Sequence, residues 1–275
     1  MGASRTPVPL RLLRLVRLAL HLLRGLAIAR LRYPGLSAAE QLVQKRRWSE
    51  TLLSLLSVSV REQHVSMKLP ERCMLVLNHI SWLDIFVIDA RFPATFIAKS
   101  EIRDWPMVGW LCTLVGTLYI DRGKRSGARN ARRTIARELE RGVLVALFPE
   151  GTTTYGRSLE HFHAALLQPA LDAAATLQPV ALRYLDRRGK HTDAAGYVGE
   201  TSFLESVWTI VSMRSMVVEL SVLEPIPAAG QPRRMLADQA QTVIAAALGV
   251  PAVGAISRQP TPSSSPDTSA CPPGE

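Results

Sequence analysis

His79 and Asp84 are the residues of this chain whose types and spacing most plainly serve chemistry. They stand in Leu75-Val76-Leu77-Asn78-His79-Ile80-Ser81-Trp82-Leu83-Asp84, where a short apolar strand runs into a helix opened by Ser81. Inside one helix, five positions would set the two side chains about 140° apart, too far round the axis to meet. With His79 ahead of the helix and Asp84 on its first turn, the carboxylate can reach back to the imidazole. It would then fix the tautomer through one ring nitrogen and leave the other as a general base. The same spacing also reads as a capping box, in which Asp84 returns to the N-cap backbone and His79 is only a loop residue.

Two further strand ends carry chemically useful groups. Gly116-Thr117-Leu118-Tyr119-Ile120-Asp121-Arg122-Gly123-Lys124 places cations at the edge of a strand. Its glycines are too far apart for a phosphate-binding P-loop, and Arg125 replaces the required Ser or Thr, so nucleotide hydrolysis is excluded. Phe148-Pro149-Glu150-Gly151-Thr152 puts an acid in a Pro–Gly turn after another strand. The bland alternatives are a turn residue at Glu150 and a solvated edge charge at Arg122. No GxSxG, HExxH or correctly spaced GxGxxG occurs, which removes the serine-hydrolase, zincin and dinucleotide readings. His161-Phe162-His163 alone is too little for a metal site, and no metal is expected.

These groups need a scaffold of strands, and the pattern supplies one. Strands are expected at Met74–Asn78, Thr95–Ala98, Gly116–Ile120, Val143–Phe148, Pro179–Tyr184 and Met216–Val222, each short and bounded by turn residues or charge. Helices are expected at Trp48–Leu56, Trp82–Ala90, Met107–Val115, Ala128–Arg141, Ala164–Ala174 and Met235–Leu248. The alternation implies an α/β domain with its functional loops at strand ends.

With these residues in view, the chain resembles the glycerolipid acyltransferase family, whose best-known members are 1-acyl-sn-glycerol-3-phosphate acyltransferases. Asn78-His79-Ile80-Ser81-Trp82-Leu83-Asp84 matches the family's HxxxxD block, Gly116 to Arg122 its second block and Phe148 to Thr152 its third. Gln178-Pro179-Val180-Ala181-Leu182 matches the fourth, and all four follow in the family's order over residues 74–184. The resemblance implies a single domain with a mixed sheet flanked by helices, preceded by an amphipathic membrane-binding element. It implies that His79, oriented by Asp84, deprotonates an acceptor hydroxyl that attacks the thioester of acyl-CoA or acyl-carrier protein. No other cofactor is implied. Arg122 would bind the acceptor's phosphate, Lys99 matches a family lysine near the same pocket, and Glu150, Gly151 and Thr152 would shape the acceptor site. The first acceptor implied is the sn-2 hydroxyl of 1-acyl-sn-glycerol-3-phosphate, giving phosphatidic acid. Two departures remove fixed positive charge near the acceptor site and make lyso-ornithine lipid, which lacks phosphate, the alternative acceptor within the family. Thr153 stands where many members have a basic residue after the third block, and Phe162-His163-Ala164-Ala165 replaces a Phe-Lys-x-Gly segment. A non-catalytic membrane-lipid-binding protein is the alternative of another class.

Charge and hydropathy organise the remainder. The 275 residues carry 33 Lys and Arg against 23 Asp and Glu, a formal net charge of +10. Residues 1–39 hold seven arginines and no acid, so residues 40–275 are close to neutral. Leucines and arginines interleave from Pro9 to Arg32, with Arg11, Arg14, Arg17, His21, Arg24 and Arg32 inside an arc of about 140° on a helical wheel. That pattern suggests a helix lying in the headgroups of an anionic membrane, on the cytoplasmic face of the inner membrane, rather than a span interrupted by arginine. The alternative is a helix packed on its own domain with a solvated basic face. Leucines rather than aromatics accompany the arginines, which argues against nucleic acid as the partner. The expected organisation is a membrane-associating segment over 1–60, the α/β domain over 61–256 and a disordered Ser/Pro-rich tail over 257–275.

Overall fold

A computed structural model describes residues 6–63, 68–104, 112–113, 116–120 and 125–254, with backbone alone at Lys99, Asp104, Arg125 and Ser126. Two helices, α1 (Val8–Leu31) and α2 (Ala38–Leu55), lead into β1 (Val58–Gln63) and β2 (Cys73–Leu77). Then come α3 (Leu83–Asp89), β3 (Thr95–Lys99), β4 (Leu118–Ile120), α4 (Arg125–Glu140) and β5 (Val145–Leu147). The C-terminal half adds α5 (Gln168–Asp172), β6 (Thr176–Asp186), α6 (Phe203–Ser212), β7 (Met216–Val222), β8 (Ile226–Pro227) and α7 (Arg233–Leu248).

One mixed sheet runs β1-β7-β6-β2-β5-β3-β4, with β8 paired to β6. The β6–β7 and β6–β8 pairings are antiparallel and the others parallel. Strand β2 lies between β5 and β6 and is buried at every position, which is why it reads as an unbroken apolar run rather than an alternation. Its side chains still alternate between two cores. Cys73, Leu75 and Leu77 join α2, α3 and α6 on one face, while Met74 and Val76 join α4 and α7 on the other. The mixed sheet with helices on both faces is the architecture the sequence implies.

Several elements differ from the sequence expectation. Helix α2 starts at Ala38, ten residues before Trp48, because Ser37 and Glu40 form a reciprocal capping box there. The helix expected over Ala164–Ala174 is a 3₁₀ turn, Ala164–Leu167, followed by the short α5, whose Pro169 sits in its first turn. Strands β1 and β8 and helix α6 were not foreseen, and the boundary drawn at residue 60 falls inside β1. The helix expected at Met107–Val115 lies outside the described residues apart from 112–113, as does the tail from 257 onward.

Helix α1 turns an unexpected face inward. The face that packs on the domain holds Arg14, Leu18, His21, Gly25 and Ala29, so two members of the expected basic face are buried. Arg14 donates to the carbonyls of Val211 (3.0 Å), Met213 (2.6 Å) and Arg214 (3.1 Å) and to Ser57 Oγ (2.7 Å). It thereby satisfies carbonyls left open at the C-terminal end of α6. His21 stacks on Trp48 of α2 at 4.7 Å, and a Cβ at Gly25 would come within 2.6 Å of the Trp48 indole nitrogen, so glycine permits this close helix pair. The leucine face is left outward: Leu12, Leu13, Val16, Leu20 and Leu23 are 50–60% exposed. Among the described residues, no helix is long and apolar enough to cross a membrane.

Candidate active site

The site is assembled at the C-terminal edge of the parallel strands. Strands β2 and β5 pair in parallel with Val76 opposite Leu147. His79 and Glu150 each lie three residues beyond that pair, so matched register delivers them side by side. Asn78, fully buried, ties this edge to β6: its side-chain amide donates to the Leu182 carbonyl (3.0 Å), and its side-chain oxygen accepts from the Leu182 N–H (2.8 Å).

His79 is held on four sides. Its Nδ1 lies 2.8 Å from Asp84 Oδ2, and its backbone N–H donates to Glu150 Oε1 at 2.7 Å. Its carbonyl accepts from the Thr154 N–H at 2.9 Å. The ring stacks on Phe148 with centroids 3.9 Å apart and planes 12° from parallel. Since a carboxylate only accepts, this contact puts the proton of the neutral imidazole on Nδ1 and leaves the Nε2 lone pair available. The His79 side chain is 20% exposed and that of Asp84 fully buried, so the pair has one open end.

Asp84 makes the contacts that both readings of its spacing require. Oδ2 accepts from the backbone N–H groups of Ile80 (2.7 Å) and Ser81 (2.9 Å) as well as facing His79 Nδ1. Ser81 Oγ accepts from the Leu83 N–H at 3.2 Å, stapling the start of α3. The helix-entry turn and the imidazole thus share one carboxylate. On its other oxygen, Asp84 Oδ1 accepts from the Tyr184 hydroxyl at 2.7 Å. Burial, followed by the neighbouring Asp84 charge, keeps the Tyr184 phenol well above its usual range, so it remains a donor.

Glu150 is 3% exposed, and both its oxygens are spoken for. Oε1 takes the His79 N–H and Oε2 the Glu160 N–H at 2.9 Å. Burial pushes its carboxyl up to about 7, against the opposing pull of those two N–H groups. It therefore braces two loops around His79. Gly151 follows in a tight turn at φ +68°, with its N–H on the Phe148 carbonyl at 3.1 Å. Beyond it, Thr152, Tyr155, Ser158 and Glu160 help line an open pocket of about 290 Å³. Arg157 also lines it, but its guanidinium is engaged by Asp193 at 3.1 and 2.8 Å. The pocket wall is bound to the His79 loop: Gly156, at φ +71°, lies so near Ile80 that a Cβ would sit 2.7 Å from its Cδ1.

Of the expected site residues, His79, Asp84, Glu150, Gly151 and Thr152 are gathered here. Lys99 ends β3 at the same edge, paired with Ile120 of β4. Arg122 lies outside the described residues. Sequence reasoning passed over Tyr184 and Asn78. A hydroxyl-bearing residue in line with Val180 and Leu182 on alternate positions of β6, and an amide immediately before the histidine, were the available signals.

A buried carboxylate thus orients a partly exposed imidazole at the edge of an α/β sheet, and the comparisons with known proteins name the class of protein that carries it. The family model described as acyltransferase matches residues 58–183. The lyso-ornithine lipid O-acyltransferase of Pseudomonas aeruginosa is 40% identical over 240 residues, covering 86% of this chain and 91% of that protein. A 1-acyl-sn-glycerol-3-phosphate acyltransferase of Neisseria gonorrhoeae is also 40% identical, over 55% of this chain and 59% of that one. The crystal structure of the 1-acyl-sn-glycerophosphate acyltransferase of Thermotoga maritima shares the fold, with a TM-score of 0.62 at 20% identity over 87% of this chain and 96% of that one. The chain belongs to the glycerolipid acyltransferase family and is an acyltransferase.

Proposed function

We propose that this chain moves a fatty acyl group from acyl-CoA or acyl-carrier protein to the free hydroxyl of a lyso-ornithine lipid, with His79 as the general base. His79 Nε2 takes the hydroxyl proton as the oxygen attacks the thioester carbonyl. The tetrahedral intermediate then collapses, the C–S bond breaks, and the departing thiolate recovers the proton from the imidazolium. A thioester is already activated, so the enzyme need not form a covalent intermediate. Asp84 orients the ring and stabilises its charged form.

The observation that carries the choice of acceptor is the similarity to the Pseudomonas enzyme along nearly its whole length. The pocket chemistry agrees with it. Arg157 is neutralised by Asp193, and Glu160 offers a carboxylate to an amine such as ornithine carries. Lys99 and Arg122 are the cations proposed to meet the acceptor's anionic group, with Gly151 and Thr152 shaping the approach. The second reading, acylation of 1-acyl-sn-glycerol-3-phosphate, is favoured by the match of Gly116 to Arg122 to the family's second block and by the Neisseria relative. Acyl transfer from labelled acyl-CoA and acyl-carrier protein to each acceptor in parallel tests both. Product on lyso-ornithine lipid alone supports the first reading, and product on lysophosphatidic acid alone overturns it.

The exposed leucine face of α1 is proposed to lie in an anionic membrane surface, on the cytoplasmic side where these donors are made. Arg17 and Arg24, both exposed, flank that face and suit lipid phosphates. Helix α6 packs against α1 and continues the apolar surface with Phe203, Leu204 and Trp208, the Arg11 guanidinium lying 5.5 Å from the Trp208 ring. An apolar surface rimmed by arginine is the expected design of an interfacial anchor.

A further inference from the structure

We infer that Tyr184 is a positioning residue for acyl transfer, acting through Asp84 to fix the carboxylate that orients His79. This rests on the assignment of His79 as the base. The two oxygens of Asp84 are treated unequally. Oδ2 is met by His79 Nδ1 and by the N–H groups of Ile80 and Ser81, whereas Oδ1 receives the Tyr184 hydroxyl at 2.7 Å. Without that donor the carboxylate could pivot about its Cβ–Cγ bond, since among the described residues its other hydrogen bonds all meet the other oxygen. Tyr184 itself has little freedom. It is wholly buried in β6, opposite Val218 of β7, and its carbonyl accepts from the Thr192 N–H at 3.1 Å.

Packing alone does not account for the hydroxyl. The neighbouring inward residues of β6, Val180 and Leu182, are apolar, and phenylalanine would fill the same volume without desolvating a polar group. The hydroxyl also has an electronic consequence. By donating to Asp84 it draws charge from the carboxylate and tempers how strongly that carboxylate favours the imidazolium. Removing it should therefore displace the measured pH–rate profile to higher pH. Among the described residues, the other ionisable groups facing this cluster are Glu150, which accepts from the His79 backbone, and Glu160 behind it. His191, in the segment after β6, is paired with Asp193. None of these loses a partner in Tyr184→Phe, so the displacement of the pH profile, rather than its position, is the readout.

The test compares wild type, Tyr184→Phe and His79→Ala in acyl transfer from acyl-CoA to the better of lyso-ornithine lipid and lysophosphatidic acid. For Tyr184→Phe, kcat should fall about tenfold with both KM values within about twofold, and the ascending limb of kcat/KM should move about half a pH unit higher. An unchanged kcat, or a lower kcat with the limb unmoved, overturns the inference, the latter because a structural role would do the same. If Tyr184→Phe does not fold, 3-fluorotyrosine incorporated at position 184 gives a stronger donor of nearly the same size. The limb should then move to lower pH, and an unmoved limb overturns the inference. Activity kept in His79→Ala overturns the base assignment itself. A silent His79→Ala with a normal Tyr184→Phe overturns only the role of Tyr184.

Discussion

Glu150→Gln changes one atom in a group that grips two loops, and its effect on stability should depend on pH in a defined direction. The amide can accept the His79 N–H or the Glu160 N–H but not both, because its nitrogen then faces a second donor. A buried donor left without an acceptor costs about 1–3 kcal/mol. The pH dependence comes from burial, which raises the wild-type carboxyl from 4.5 to about 7. The folded protein therefore binds this proton more tightly than the unfolded chain does. That contribution is fully present below the unfolded value and is lost as pH rises through about 7. A shift of this size corresponds to about 3 kcal/mol of unfolding free energy across the window. Glutamine does not titrate, so the stability of wild type relative to Glu150→Gln should decline by about that amount between about pH 4 and pH 8. Equilibrium urea unfolding in detergent micelles, followed by tryptophan fluorescence, measures both proteins across that range. Parallel stability curves would refute the buried, proton-holding carboxyl, and curves that coincide would refute the bracing role as well.

Other expectations follow from the same geometry. Asn78→Ala strands both the N–H and the carbonyl of Leu182 in the core and should lower unfolding free energy by about 2–3 kcal/mol, read by the same urea titration. Gly156→Ala combines a left-handed backbone with a Cβ pressed on Ile80, so kcat should drop along with a loss of about 1–2 kcal/mol in stability. Kinetics beside thermal melting would check it, and an unaltered kcat would separate the pocket wall from the His79 loop. Leu13→Glu combined with Leu20→Glu alters only exposed positions of α1 and should leave melting unchanged. Burying half a leucine is worth on the order of 1 kcal/mol, so partition onto anionic vesicles should weaken roughly 30-fold or more. Flotation at unchanged affinity would show that this face does not meet the membrane.

The central strands and the histidine–carboxylate pair were legible because local signals and long-range packing agree there. An apolar run as short and uniform as residues 74–77, closed by charge before it and Asn78 after it, reads as a strand buried on both sides, and the helix-entry turn after it fixes where Asp84 points. Elsewhere the deciding forces were not local. Strand β1 reads as polar, Val-Ser-Val-Arg-Glu-Gln, since it lies at the end of the sheet order, paired only to β7, with alternate residues exposed. Helix α6 mixes buried Val207, Ile210 and Val211 with exposed Phe203, Leu204 and Trp208, which blurs its amphipathic period. Helix α1 was legible as amphipathic, but the carbonyls that draw Arg14 inward belong to residues about 200 positions away. Tyr184 and Asp84 are likewise 100 positions apart, and no local spacing could join them.

The measurement that bears most directly on this account is the turnover of His79→Ala against wild type on whichever acceptor wild type acylates better, with thermal melting alongside. Loss of a positioned base should cost at least about 100-fold in kcat. Because His79 is a partly exposed loop residue whose backbone carries its contacts to Glu150 and Thr154, the melting transition should persist. A folded His79→Ala protein that keeps its kcat within about tenfold of wild type would contradict the general-base role assigned to this pair.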